Sequence, residues 1–429
     1  MKNRVWTLAV LAILGVGGYF GYSQVTRHWA RQAMQRAELA MRRRNWTSAR
    51  IEVSNYLQVF PQDDAARLHL AEAYFKDSTL DSMRAVSAAI EQLRLIPRTS
   101  PQWPAACVQE ARMNLFAQLQ PHRAELLLRD MLATDPDNVD GNYVLWKLYD
   151  LTGRSHLAEP NFRKVLAKTP EAQRPFRLRE WYLSQFYPAT ANPELDQLMG
   201  FYDPSEKRSA VTELRRLEAF RQSEPKSALN HAAVARWYSL EGDPKTSLRL
   251  LQQALDVTDT PLQDSFFVAT LTQVLFDLGE FDNATKVYGA WPGERSGYEY
   301  ARLGAILADE VDRDYDRAIR NYRDIISIWP GQADWRIQYR TARCLAKIGD
   351  ETAAESTRLR AKKIELLMEE DIHAPLRRLL ATPDQLEACD QMMQFYEQLG
   401  LEFEATQWRE QFDRLPRDSG RTERPRAGQ

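Results

Sequence analysis

From residue 24 to about residue 415 the apolar positions recur at intervals of three and four, the period of an α-helix, and nowhere at the strict alternation of a half-buried strand. One stretch shows the unit. Asn142 to Tyr149 carries apolar residues on one helical face, Thr152-Gly153-Arg154 makes a turn, and Ala158 to Ala167 forms a second helix closed by Pro170. The pattern predicts two helices joined by a tight turn, with proline placed where the second has run its course. Ahead of this region, Val5 to Tyr22 contains no charged residue and predicts a helix of another kind.

The two-helix unit recurs. A small residue stands early in the second helix at Ala49, Ala85, Ala124 and Ala158, and again at Ala284, Ala318 and Ala354, in steps of 34 to 39 residues within each half. Pro61, Pro97, Pro136, Pro170 and Pro330 close several units in the same register, and Gly153, Gly242, Gly279, Gly349 and Gly400 mark turns. Leu303-Gly304, Tyr315, Ala318, Tyr322 and Pro330 form the fullest set. Leu271 with Gly279, Phe281, Ala284 and Tyr288, and Leu70-Ala71-Tyr74 with Ala85 and Pro97, form others. In these residues the chain resembles the tetratricopeptide repeat family, with its period of about 34 residues and its pattern of Leu-Gly, aromatic, alanine and proline. The resemblance covers roughly residues 30 to 415. It implies an all-α fold, an α-solenoid wound as a right-handed superhelix of about nine or ten helical hairpins. One hairpin cannot bury its apolar face alone, so the hairpins must stack.

The expected organisation follows. Residues 1–4 are a basic leader, 5–22 a transmembrane anchor and 23–29 a basic juxtamembrane segment. A first array spans 30–187, an inserted loop or hinge 188–208, a second array 209–370, a C-terminal helical pair or cap 371–415, and a disordered tail 416–429. The hinge is placed on Pro193, Gly200 and Pro204, which interrupt the helical pattern between Arg174–Tyr187 and Ala210–Gln222. The cap is placed on a long helix, Ala353 to Glu370, that puts the last unit out of register. The tail is rich in Arg, Gly, Pro, Ser and Thr.

Composition changes this picture only at the N-terminus. Hydrophobic residues at 44% and charged residues at 27% describe a chain with apolar surface to bury. A net charge of -2 gives no ground for nucleic-acid binding. As a helix, Val5 to Tyr22 would be about 27 Å long against a hydrocarbon core of about 30 Å, so it can serve as a single-pass anchor. The alternative is a cleaved signal peptide, which Lys2 and Arg4 fit but for which no A-x-A-like site follows. Basic residues flank both ends, Lys2 and Arg4 against Arg27, Arg31, Arg36 and Arg42. The flanking charges do not decide the side; since large domains translocate largely regardless of charge, the extracytoplasmic side is the expectation and the cytoplasmic side the alternative.

Candidate chemistry is sparse. Asp312, Asp314 and Asp316 have the opening spacing of a calcium loop, but Arg317 and Arg323 occupy the positions needing glycine and glutamate. The six histidines are scattered, and Cys107, Cys344 and Cys389 are too few and far apart for a disulfide framework or zinc site. Cys344, between Ala342 and Leu345, reads as a buried, inert thiol. No catalytic constellation, cofactor site or metal site is expected. One cluster stands out: Arg336, Arg340, Arg343 and Lys347 recur at four, three and four and share one face of a helix. By the family resemblance this is a first helix lining the groove, with Tyr339 beside the stripe and Arg302 joining it from the preceding unit. The expected ligand is an acidic peptide segment or terminal carboxylate, matched to the planar donor fork of arginine; the alternative is a solvated basic face that holds no ligand. The function this implies is a membrane-tethered, non-enzymatic scaffold that binds protein partners through its concave surface. The alternative is an accessory factor for envelope assembly, secretion or polysaccharide export that acts on a neighbouring enzyme. The sequence sets no oligomeric state.

Overall fold

The computed structural model describes residues 24–186 and 209–416. The expected anchor 5–22, the expected loop 188–208 and nearly all of the expected tail lie outside the described residues. No helix among the described residues is long and apolar enough to cross a membrane.

Every regular element among the described residues is helical. In chain order α1 (24–42) pairs with α2 (Trp46–Val59), α3 (Asp64–Lys76) with α4 (Ser82–Arg94), α5 (Trp103–Arg112) with α6 (Pro121–Thr134), and α7 (Val139–Leu151) with α8 (Glu159–Lys168). Two helices follow, α9 (Arg174–Phe186) and α10 (Ser209–Ser223). Pairing then resumes with α11 (Ala228–Leu240) and α12 (Pro244–Val257), α13 (Ser265–Asp277) and α14 (Phe281–Gly289), α15 (Tyr298–Leu307) and α16 (Tyr315–Ile326), and α17 (Trp335–Lys347) and α18 (Glu351–Leu367). The described residues end with a short α19 (Glu370–Leu379) and the pair α20 (Leu386–Leu399) and α21 (Glu402–Arg414). Nine hairpins are thus described. The long helix expected over Ala353 to Glu370 stops at Leu367, and α19 begins three residues later.

Local chemistry sets the hairpin ends. Asp63, Asp81, Asp243, Asp264 and Asp350 each stand just before a helix and accept a backbone N–H three residues on. Asp314 does the same for α16, accepting from the Arg317 N–H at 3.0 Å. Two of the three carboxylates that imitate a calcium loop are therefore engaged, Asp314 in a helix cap and Asp312 in an ion pair with Arg317. Gly279 and Gly349, at φ +77° and +86°, end α13 and α17 in the left-handed conformation that side chains avoid.

Small residues let the paired helices approach. The recurrent alanines are all buried, Ala49, Ala124, Ala158, Ala284, Ala318 and Ala354 at 0% exposure. Gly304 is required by its neighbour: a Cβ there would stand 2.4 Å from the hydroxyl of Tyr288, whose proton goes to the Tyr300 carbonyl at 3.0 Å. Tyr322, Ile319, Ile325, Cys344 and Ala354 fill the space between α15–α16 and α17–α18.

The chain divides into two compact units, with the division between Gly141 and Asn142. The first is held by successive clusters such as Ala37, Val53, Leu57, Ala66 and Leu70. In the second, residues 142–186 meet helices far along the chain. Phe162 and Trp181 stack at 4.3 Å between centroids; Trp181 lies 5.2 Å from Trp329 and donates its indole N–H to Glu404 at 3.0 Å. Tyr182 shares a 2.7 Å hydrogen bond with His373, and the Phe186 ring lies 5.2 Å from that of Phe395. Arg163 sits 3.9 Å over the Phe403 ring. Apart from the Phe162–Trp181 stack between successive helices, a solenoid whose repeats touch only their neighbours would show none of these contacts. They pack α8 and α9 against α19, α20 and α21.

Candidate partner-binding cleft

A cleft of about 430 Å³ lies between the helices that open successive hairpins of the second unit, α11, α13, α15 and α17. Its apolar floor is Ala269, Ile306 and Ile337. Arg236, Arg302, Arg336 and Arg340 line it, opposed by the carboxylates of Asp277 and Asp334. The first unit has an open depression of about 600 Å³ around Tyr56, Phe60, Pro61 and Pro101 whose lining includes no cationic side chain.

Three residues expected on the basic stripe reach this cleft: Arg302, Arg336 and Arg340. They come together because corresponding residues of consecutive first helices face the same way, one repeat apart. Arg336 is exposed, stacks its guanidinium 4.6 Å over its neighbour Trp335, and makes no ion pair among the described residues. Arg340 donates to Glu310 at 2.7 Å, and Arg302 to Glu299 at 2.7 Å and to Gln273 at 2.7 Å.

The rest of the stripe turns elsewhere. Arg343 is bound to Asp309 at 2.5 Å and also pairs with Glu310. Asp309 is buried and accepts the Tyr322 hydroxyl at 3.1 Å as well. Burial lowers the Arg343 pKa, but its two carboxylate partners outweigh this and the guanidinium ends well above its ordinary value. Arg343 thus ties α17 to the end of the preceding first helix. Tyr339 donates to Glu365 at 2.8 Å on α18, and Lys347 is exposed outside the cleft.

The carboxylates that hold the stripe were not singled out in the sequence, yet the signal was there. Asp309 stands 34 residues before Arg343, one repeat period, so opposite charges one period apart were poised to meet. The same spacing rule brings Tyr298 to Asp334, 2.5 Å apart and 36 residues distant, and Ser239 to Asp277 at 3.3 Å. Asp334 also caps α17 through the N–H groups of Arg336 and Ile337. Burial raises the pKa of Asp277 despite hydrogen bonds from Gln273 and Ser239.

Behind the cleft lies a buried charge cluster. Glu299, 6% exposed, holds Arg236 at 2.8 Å and Arg302 at 2.7 Å, with the His156 Nδ1 3.9 Å away. Burial opposes its ionisation, but the two arginines win and its pKa lies well below the ordinary value. His156 is pushed down to about 4, chiefly by burial, and is neutral at pH 7. The cleft lining contains no histidine, cysteine or lysine. No group of three or more metal-ligating side chains occurs among the described residues. The arrangement is suited to holding a charged chain segment.

No known family profile matches the chain, and neither does any curated protein. Among solved structures it is similar to PilF of Pseudomonas aeruginosa, at 16% identity over 57% of this chain and 97% of that one, with a TM-score of 0.28. It is similar also to the Cut9 and Hcn1 assembly of the APC/C, at 12% identity over 90% of this chain and 76% of that one, with a TM-score of 0.37. A third is a tetratricopeptide repeat protein from Parabacteroides merdae, at 11% identity over 74% and 99%, with a TM-score of 0.28. On its own recurrent alanines, turn glycines and stacked hairpins, the chain is an array of helical hairpins, the fold that its resemblance to the tetratricopeptide repeat family implies.

Proposed function

We propose that the chain is a membrane-tethered scaffold that holds a partner protein through the cleft of its second unit. The observation that carries this is the convergence of Arg236, Arg302, Arg336 and Arg340, from α11, α15 and α17, over an apolar floor in a single cleft. The floor suits a side chain or backbone, and the guanidinium forks suit an acidic side chain or terminal carboxylate. Arg336, with no internal carboxylate to compete, is the leading contact. The tether is the uncharged run Val5 to Tyr22, long enough to span a bilayer, with the repeats on the extracytoplasmic side.

Affinity capture from membranes with the full chain tests both parts. The parent should retain a partner that Arg336→Glu loses, a weakening of about 2 kcal/mol or more for a desolvated charged contact. Identical capture by both would remove the cleft from consideration. The chain should fractionate with membranes at full mass. Release as a soluble protein shortened by about twenty residues would replace the anchor with a signal peptide.

A further inference from the structure

The cleft and the docked residues 142–186 share two side chains. From the cleft, Arg236 forms an ion pair with Glu299 at 2.8 Å and lies 5.5 Å from the Phe266 ring. From the docked segment, Arg154 lies 5.6 Å from the same ring, and His156 approaches Glu299 to 3.9 Å and the Tyr298 ring to 6.1 Å. Phe266 is thus flanked by one arginine from the docked segment and one from the cleft. His156 and Arg236 approach the same Glu299 oxygen, Oε1, at 3.9 and 2.8 Å, while Arg302 holds the other, Oε2, at 2.7 Å.

This has an electrostatic consequence. Glu299 is buried with His156 of the docked segment beside it, and a buried carboxylate without water must keep its charge partners. Arg236 and Arg302 are the partners it has. An ion pair opened to water is worth about 0–1 kcal/mol and exchanges readily for another. We propose that residues 142–186 are an internal gate on the cleft: while docked they keep Glu299 dry, and dry Glu299 holds Arg236 and Arg302 back from an incoming carboxylate. Loosening the segment wets Glu299 and releases the two guanidinium groups to a ligand. By reciprocity, a carboxylate ligand that captures them loosens the segment. The gate rests on the cleft being the binding site.

The test uses the full chain, a fluorescent octaglutamate peptide as probe, and variants far from the cleft. Trp181→Ala removes the ring that joins α9 to Trp329 and Glu404. Tyr182→Phe keeps the ring, removes the hydroxyl that is hydrogen-bonded with His373, and serves if the first variant does not fold. Both should show faster amide exchange across 142–186 and bind octaglutamate at least five-fold more tightly than the parent. Saturating octaglutamate should also speed exchange across 142–186 in the parent. Faster exchange with unchanged affinity overturns the gate, as does binding that leaves exchange unaltered. If binding is lost in Arg336→Glu but indifferent to both α9 variants, the cleft stands and only the gate falls. If octaglutamate binds no form of the chain, or binds Arg336→Glu as well as the parent, the cleft and the gate fall together.

Discussion

Trp181 donates its indole N–H to Glu404 at 3.0 Å although 223 residues of chain separate them, and both side chains are buried. Glu404 is pushed up to about 7, first by burial; the bond from Trp181 and the nearby Arg163 pull it down, while Glu159 pushes it up. Tyr396, also buried, is the other titratable group facing it. The folded-state pKa lies above the ordinary value of 4.5, so the stability this group contributes is complete below about pH 4.5 and lost as pH rises through 7. Glu404→Gln keeps an acceptor for Trp181 without the charge. Its melting temperature should match the parent's at pH 5 and exceed it at pH 8, by the equivalent of roughly 3 kcal/mol. A gap that is the same at both pH values would show that Glu404 does not titrate within this packing.

Arg343 and Arg336 share one helix face but should fail differently. Arg343→Glu sets a like charge against Asp309 and Glu310 and should destabilise the fold by roughly 2 kcal/mol, allowing for the partial exposure of the arginine. Arg336→Glu should leave the melting temperature within about a degree, since surface substitutions away from specific contacts shift stability by under about 0.5 kcal/mol. Equal melting temperatures for parent and Arg343→Glu would mean the ion pairs are incidental.

Gly304→Ala tests the close approach of α14 and α15. Alanine would gain about 1 kcal/mol of helix propensity over glycine, but the contact with the Tyr288 hydroxyl should cost more, for a net loss of about 1–2 kcal/mol. Adding Tyr288→Phe removes the oxygen that is struck. The double variant should therefore recover stability relative to Gly304→Ala, and a further loss would put the clash elsewhere.

Cys107, Cys344 and Cys389 are buried, and burial pushes their thiols up to about 12, 12 and 11. At pH 8 a thiol reagent should label none of them within minutes in the native chain and all three in denaturant. Prompt native labelling of any one would show that its hairpin opens.

Much of the hairpin fold was legible because a repeat writes its packing rules several times over. Ala318 and Ala354 could be placed one period apart and are both fully buried; Gly349 could be placed in a turn and lies at positive φ. The cleft was half legible. Arg336 and Arg340 were visible as a helical stripe, but Arg236 has no charged neighbours at helical spacing and enters only through stacking. Arg343 looked equally available until Asp309 met it across the hairpin boundary. The docking of 142–186 left no trace in the periodicity. Trp181 and Tyr182 have the residue types that fill gaps between adjacent hairpins, and nothing local distinguishes an aromatic packed on the next repeat from one packed on Phe395 or Trp329.

The partnership of α9 with α21 also sets an order of events during synthesis. Repeat proteins can fold from either end, each hairpin settling on the last. Here the aromatic face of α9 leaves the ribosome 223 residues before the carboxylate that completes its burial. Trp181 and Phe162 can stack on each other and on Trp146 early, but the contacts with Phe403 and Glu404 form only after all the intervening hairpins are made. The last helix is thus the keystone of the second unit, and a stop codon shortly before residue 402 would leave a sticky aromatic surface near the middle of the chain.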